Sequence, residues 1–371
     1  MEKSNDPKTI WWRYPPTDNH TLQAWNAADE LLISEYRSRF PENKKTAVFH
    51  DRFGFLSGNL GNPKPDVIVY LKSQQKAVVQ NIEINNLKVD YRFLTPFDEY
   101  SGQNWEVCII QIPKSIEMWE IYLKMVHRFS DRKVEVLAGF MTRHFTDNWI
   151  GVAQKYFHHI GQSKAWKKAR LMTLSEKKEG VNTGLTLKKL SFRETDFYQY
   201  PGVFSKDKID DATRFLLENI HLRTGENKIL DWGCGNGVIG KILSGKDQTR
   251  DVYFLDDNVM AAESVRKNVN NGHIFWEDDL SVLNEFGFDV VITNPPFHFE
   301  YENDISVSLH FFEKASGHLK KGGRLIVVAN RFINYKTHLV KWYEDVQIVS
   351  ENEKFVVYEC RGLGRRFITE Q

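Results

Sequence analysis

An apolar stretch expected to form a strand at 228–230 runs straight into a segment in which Gly233, Gly235, Gly237 and Gly240 punctuate the chain, and a helical pattern follows. Few folds tolerate such a segment. Glycine reaches positive φ without a Cβ penalty, so the chain can turn sharply at the end of the strand and bring its backbone close to a ligand. Strand, glycine loop and helix together form the opening unit of a nucleotide-binding α/β sheet. The sequence beyond repeats the alternation. Strands are expected at 251–255, 274–276, 288–292 and 324–329, with a helix at 260–270 and an antiparallel final hairpin of 346–349 with 355–360. That succession predicts a doubly wound sheet whose ligand lies beyond the carboxyl ends of the strands.

The glycines alone leave the ligand open, because Gly235, Gly237 and Gly240 also satisfy the dinucleotide spacing and Asp256 lies about twenty residues further on. Asp231 separates the two readings. A carboxylate at the strand end would repel a pyrophosphate and favour the cationic methionine moiety of S-adenosylmethionine. Gly233, Cys234, Gly235 and Gly237 then form the loop against that cofactor. Asp256, at the end of the next strand, is placed to accept hydrogen bonds from both ribose hydroxyls, with Asp257 as the competing residue. The acidic turn Glu277, Asp278 and Asp279 follows the third strand, and Asp278 is favoured there for the adenine amino group. Any one of these aspartates could simply be a helix cap. Their recurrence at successive strand ends is what points to a cofactor.

The apolar run at 288–292 leads into Asn294, Pro295, Pro296, Phe297 and His298. An exocyclic amine is a poor nucleophile because its lone pair is delocalised into the ring. The Asn294 side-chain oxygen and the Pro295 carbonyl can each accept one N–H and turn that lone pair toward a methyl donor, while the prolines fix the backbone without adding donors. Phe297 would stack on the base. His298 is the titratable residue nearest this group and is read as a packing or hydrogen-bonding residue rather than a base.

At 371 residues the chain exceeds what one core usually supports, so two domains are expected: 1–174, a linker with a hairpin at 175–200, and 201–371. Residues 46–56 repeat the shape of 228–239 with Asp51 and Gly54 but with bulky Phe53 and Phe55, which block close approach of a cofactor. The first half therefore reads as a degenerate copy of the second that binds or braces. Near its end Lys164, Trp166, Lys167, Lys168 and Arg170 fall within seven residues, a group that either grips phosphates with an indole stacked on a base or forms a solvated strand end. Arg361, Arg365 and Arg366 form a second basic group. The net charge of +1 means that any nucleic acid must be held by such local patches. Three widely spaced cysteines suggest neither a disulfide framework nor a zinc site, and no metal is expected. No apolar run reaches the about eighteen residues of a membrane span. A cytoplasmic, soluble, two-domain monomer is the expectation.

Residues 202–205, the glycine loop at 231–240, the group at 294–298 and Val328, Ala329, Asn330 and Arg331 together resemble the bacterial ribosomal RNA guanine-N2 methyltransferases. In the first half, 22–29, 51–54, 112–115 and 165–170 resemble the large-subunit (23S) branch more than the small-subunit branch. The resemblance implies two tandem Rossmann-like methyltransferase domains, the first inactive and helping to hold RNA, and S-adenosylmethionine in the second. It implies 23S rRNA as substrate, Asn294, Pro295, Pro296 and Phe297 as the catalytic group, and RNA contacts from the basic segment and Arg331. Trp232 stands where the family has a small or aliphatic residue, and the acidic turn at 277–279 is richer in carboxylates than the family's. Other readings stay open: a small-subunit enzyme, a protein-glutamine or adenine-N6 methyltransferase, which also use Asn-Pro-Pro, and a non-catalytic rRNA-binding assembly factor.

Overall fold

The computed structural model describes residues 9–17, 22–61, 64–99, 102–205, 207–245, 249–283, 287–295 and 305–362. The chain divides into two compact units, Met1–Leu185 and Thr186–Gln371.

In the first unit the strands are β1 (Thr46–Phe49), β2 (Asp66–Ile68), β3 (Arg92–Leu94), β4 (Trp105–Gln111), β5 (Ser130–Met141), β6 (Phe157–Gln162) and β7 (Ala169–Lys177). The helices are α1 (Ala27–Arg39), α2 (Phe55–Asn59), α3 (Lys72–Ile84), α4 (Ile116–Phe129) and α5 (Asp147–Tyr156). The sheet order is β3-β2-β1-β4-β5-β7-β6, with β7 antiparallel to both its neighbours. β1 is buried at all four positions, as expected of a strand covered on both faces. α4 starts where the Ser115 hydroxyl accepts the Met118 N–H, and it buries Trp119, Tyr122, Leu123 and Val126.

The second unit opens with a hairpin of β8 (Lys188–Phe192) and β9 (Thr195–Gln199), then α6 (Asp211–Asn219). Its sheet contains β10 (Lys228–Trp232), β11 (Asp251–Asp256), β12 (His273–Trp276), β13 (Phe288–Thr293), β14 (Leu319–Asn330), β15 (Asp345–Glu351) and β16 (Phe355–Arg361). α7 (Val238–Ser244), α8 (Val259–Asn268), α9 (Ser306–His318) and α10 (Lys336–Leu339) connect them. The order β12-β11-β10-β13-β14-β16-β15 is that of the first unit, and β16 is again the antiparallel insertion. Both sheets carry the same irregularity. Trp105 pairs with Ser130 and Val107 with Glu135, as Phe288 pairs with Leu319 and Val290 with Arg324. The expected strand at 324–329 therefore starts earlier, at Leu319. Gly323 is required there, since a Cβ would lie 2.6 Å from the Phe288 carbonyl oxygen. Along β13, Val290 and Ile292 pack into the core on one face, and Phe288 and Val291 into that on the other. The chain is thus two tandem Rossmann-like methyltransferase folds. Among the described residues no helix is long and apolar enough to cross a membrane.

In the second unit a buried ion network ties β14 to β16 and to the turn before β10. The Arg324 guanidinium, 3 % exposed at its side chain, donates to both oxygens of Glu226 at 2.8 Å, to Glu359 and to the His221 carbonyl. Arg223 and Arg361 approach Glu359 from the solvent side. Removing the central cation leaves two carboxylates, buried Glu359 and half-buried Glu226, short of donors. Arg324→Ala is expected to cost about 4 kcal/mol of the second unit's stability. Urea unfolding followed by a probe in that unit checks this, and a loss below about 1 kcal/mol would place the pair with exposed bridges instead.

Candidate functional site

The strand order reverses between β10 and β13, and the crevice there opens at their carboxyl ends. The loop after β10 has φ of +69° at Gly233, +56° at Gly235 and +78° at Gly237, a left-handed path that side chains other than glycine rarely follow. Gly240 has a different reason: a Cβ there would stand 2.4 Å from the Phe254 ring, so α7 packs on β11 only with glycine at that position.

Two carboxylates pin this loop. Asp231 is fully buried, and its Oδ2 accepts the Gly240 N–H at 2.8 Å. Its second oxygen meets no donor among the described residues. Burial pushes this carboxyl up to about 8. Asp256 accepts the Gly235 N–H at 2.8 Å and the Asn258 N–H at 2.9 Å, and burial pushes it up to about 7.

A cavity of about 310 Å³ lies against the loop. Gly233, Cys234, Gly235, Asp256, Asp257 and Asp278 line it; Asp231 and Gly237 lie behind its wall. The negative charge facing the cavity thus belongs to the ends of β11 and β12 rather than to the end of β10. Cys234 is buried, and desolvation holds its thiol far above the ordinary range, so it packs as a neutral group. The backbone of Asp257 is engaged from behind, its carbonyl accepting the Trp276 indole N–H at 2.7 Å. Asn294 and Pro295 complete the cavity at the end of β13. Pro296, Phe297 and His298 lie outside the described residues, as do Arg365 and Arg366.

Gln199, Asn258 and Thr213 line the cavity and carry no signal of their own in the sequence. Gln199 accepts from the Asn236 amide at 2.9 Å and donates to the Ser205 carbonyl at 3.1 Å, joining the glycine loop to 202–205. Asn258 Nδ2 holds that segment from the other side through the Gly202 carbonyl at 2.9 Å. Val203, Phe204 and Ser205 line the cavity as a result, with Phe204 63 % exposed. Asp210 and Thr213, at the start of α6, face the cavity beside Asn294. Asp210 is also the cap of α6, its carboxylate accepting the Ala212 and Thr213 N–H groups.

The basic segment of the first unit is the tight turn between β6 and β7. Trp166 bridges to Ala169, and the Lys168 carbonyl is held by the Thr142 N–H at 2.8 Å. Lys164, Trp166, Lys167 and Lys168 are exposed and Arg170 is half-buried. Lys167 is committed locally, 3.1 Å from Glu30 and 4.4 Å from the Trp166 ring centroid. Arg170 donates to Gln162 at 3.3 Å. Arg331 is exposed at the end of β14, beside Phe332, which is 82 % exposed.

Comparison with known proteins places each unit. Residues 194–359 match the family model of the methyltransferase small domain, and residues 3–178 match the RLMG N-terminal domain. Among solved structures, the T. thermophilus 16S rRNA N2 G1207 methyltransferase RsmC, in complex with AdoMet and guanosine, is similar over 91 % of this chain and 92 % of its own, at 20 % identity and a TM-score of 0.74. The TehB-like SAM-dependent methyltransferase of Corynebacterium glutamicum aligns with 42 % of this chain and 89 % of its own, at 20 % identity and a TM-score of 0.33. A methyltransferase from Pyrococcus furiosus aligns with 41 % of this chain and 82 % of its own, at 19 % identity and a TM-score of 0.34. With a methyltransferase small domain over the residues that line the cavity and an RLMG N-terminal domain preceding it in the sequence, the protein is an S-adenosylmethionine-dependent methyltransferase.

Proposed function

We propose that the protein methylates the exocyclic N2 of a guanine in 23S rRNA, acting in the cytoplasm as a monomer. The observation that carries this reading is that Asn294 and Pro295 line the same cavity as the glycine loop and Asp256, Asp257 and Asp278. Methyl donor and amine acceptors therefore share one space.

The residues present fit the cofactor. The volume lies at the lower end of the range for small-molecule sites, and left-handed glycines let the backbone approach where a Cβ would intrude. Asp256 would take the ribose hydroxyls and Asp278 the adenine amino group. Both Asp256 oxygens already accept backbone N–H groups, yet a carboxylate has about four lone-pair sites, so room for the diol remains. S-adenosylmethionine supplies a sulfonium-activated methyl whose leaving thioether is neutral. The protein's own part is positioning: the Asn294 oxygen and the Pro295 carbonyl accept the two N2 hydrogens, the proline pair that includes Pro296 adds no donor, Phe297 has the residue type to stack on the base, and the N2 proton leaves to water. The target base must leave its stack to reach this cavity.

The large-subunit branch is supported by the match of 3–178 to the RLMG N-terminal domain, and by the segments of the first half that resemble that branch. In this reading Lys164, Lys168 and Arg170 meet phosphates, Trp166 offers one ring face to a base while Lys167 covers the other, and Arg331 meets RNA from the second unit. The whole-chain likeness to a 16S rRNA enzyme favours a second reading, a small-subunit target. Incubating the protein with radiolabelled S-adenosylmethionine and rRNA from cells lacking it, then identifying the labelled nucleoside, decides between them. N2-methylguanosine in 23S RNA alone is expected. Label in 16S RNA supports the second reading, and labelled protein with unlabelled RNA refutes both.

Asn294→Ala is expected to lower kcat by about a hundredfold or more while leaving cofactor affinity within a few-fold, since the lost acceptor acts on the amine. Equal losses in turnover and affinity would assign Asn294 to the cofactor instead. A second expectation concerns pH. The Asp256 carboxyl is pushed up to about 7, and ribose hydroxyls donate best to its ionised form. Binding should therefore tighten as pH rises through about 7 and level off above it. Calorimetric titration across that range should show the slope in the wild type and its loss in Asp256→Asn; a flat wild-type profile would remove Asp256 from the ribose site.

A further inference from the structure

We infer that Asp210 and Thr213 are positioning residues that turn Asn294 into a pure hydrogen-bond acceptor and so select an amine at the reacting position. This rests on the proposed role of Asn294.

The Asn294 Nδ2 lies 3.1 Å from Asp210 Oδ2 and 3.0 Å from Thr213 Oγ1. A primary amide nitrogen has two hydrogens, and these two acceptors take both. The assignment of nitrogen and oxygen is fixed by chemistry, because the amide oxygen turned toward an ionised carboxylate would face a group with no hydrogen to give. Asp210 is itself held in place: its Oδ2 also accepts the Ala212 N–H at 3.0 Å and the Thr213 N–H at 3.2 Å as the cap of α6, where the helix dipole favours the charge. Both residues line the cavity with Asn294.

The consequence is one of selection. With its donors consumed, the amide offers the cavity only Oδ1, which meets no donor among the described residues. A substrate N–H is welcome there, while a keto oxygen in the same place meets another acceptor. Guanine carries both groups, N2 and O6, so a rigidly oriented Asn294 tells the two edges apart. If the amide were free to flip, half its orientations would present a donor and accept the wrong edge. Asp210 and Thr213 lie 84 and 81 residues before Asn294, and helix α6 brings them to it.

The full-length protein tests this by two independent readouts. In protein labelled with [15N]asparagine, the Asn294 carboxamide, identified by its loss in Asn294→Asp, should exchange with solvent slowly in the wild type and much faster in Thr213→Val. Fast exchange in the wild type overturns the inference whatever the substrate proves to be. On rRNA, Thr213→Val should lower kcat about tenfold with cofactor affinity and thermal midpoint nearly unchanged, and Thr213→Ser, which keeps the hydroxyl, should restore it. A reciprocal pair sharpens the test. Asn294→Asp alone sets two carboxylates against each other, whereas with Asp210→Asn the bond re-forms with its donor reversed, so the double variant should be more active than Asn294→Asp. No recovery, or a kcat unaffected by Thr213→Val, overturns the inference. Wild-type protein that labels no RNA refutes the proposed function, and the exchange measurement still decides the clamp.

Discussion

Two carboxylates, fully buried Asp231 and half-buried Asp256, hold the glycine loop in shape, and the rest of the site depends on them. Asp231 ties the end of β10 to the start of α7 through Gly240, and Asp256 ties the end of β11 to the middle of the loop through Gly235. Three left-handed glycines lose much backbone entropy on folding, so a loop of this composition needs fixed anchors to keep one conformation. Backbone N–H groups aimed at carboxylates provide them. Burial raises both carboxyls, which marks these contacts as held against a desolvation cost. The arrangement also divides the work: Asp231 faces the protein behind the cavity wall, while Asp256 faces both the loop and the cavity.

The first unit shows the same device with the space filled. Asp51 stands at the equivalent strand end and accepts from the Ser57 N–H and hydroxyl, both at 2.7 Å, and from the Leu56 N–H at 3.2 Å. Gly54 keeps a left-handed φ of +83°, and a Cβ there would sit 3.0 Å from Val78 Cα. The aromatic rings then pack where a loop would need openness. Phe53 is buried with Trp11, and Phe55 lies between Trp11 and Trp25, stacked parallel to the latter at 5.3 Å. The turn is thereby braced by aromatic packing in the first unit and by polar contacts around a cavity in the second.

Local pattern made much of this legible in the sequence. β10, β11, β12 and β13 lie where apolar runs ended at charged or polar residues, because a parallel strand buried on both faces leaves little choice of residue. The glycine loop and the Asn294–Pro295 turn were legible for the same reason, each being a short contiguous segment with one physical use. What the pattern could not carry was contact between segments. Gln199 joining 202–205 to Asn236, and Asp210 with Thr213 joining Asn294, are ordinary polar residues until the fold brings them together. The reading of Asp231 as a charge facing the ligand came from its place at a strand end; the structure puts it behind the cavity wall because its side chain turns toward the Gly240 amide.

Trp232 shows how a local departure is absorbed by packing. An indole where the resemblance implies a small or aliphatic residue ought to crowd the loop. It is accommodated because α9 presents Phe311, whose ring stacks on the indole with centroids 4.0 Å apart and planes 12° from parallel. Trp232 is 1 % exposed, Phe311 is 9 % exposed, and both form part of the cavity lining. The pair therefore makes a continuous apolar wall from the end of β10 to α9, next to left-handed Gly233, whose missing Cβ would lie 3.9 Å from the Phe311 ring. A smaller residue at 232 would leave a void beneath the loop and deprive Phe311 of its stacking partner, and a smaller residue at 311 would do the reverse, so the two positions are coupled. The cavity's apolar wall is a property of that pair rather than of either residue.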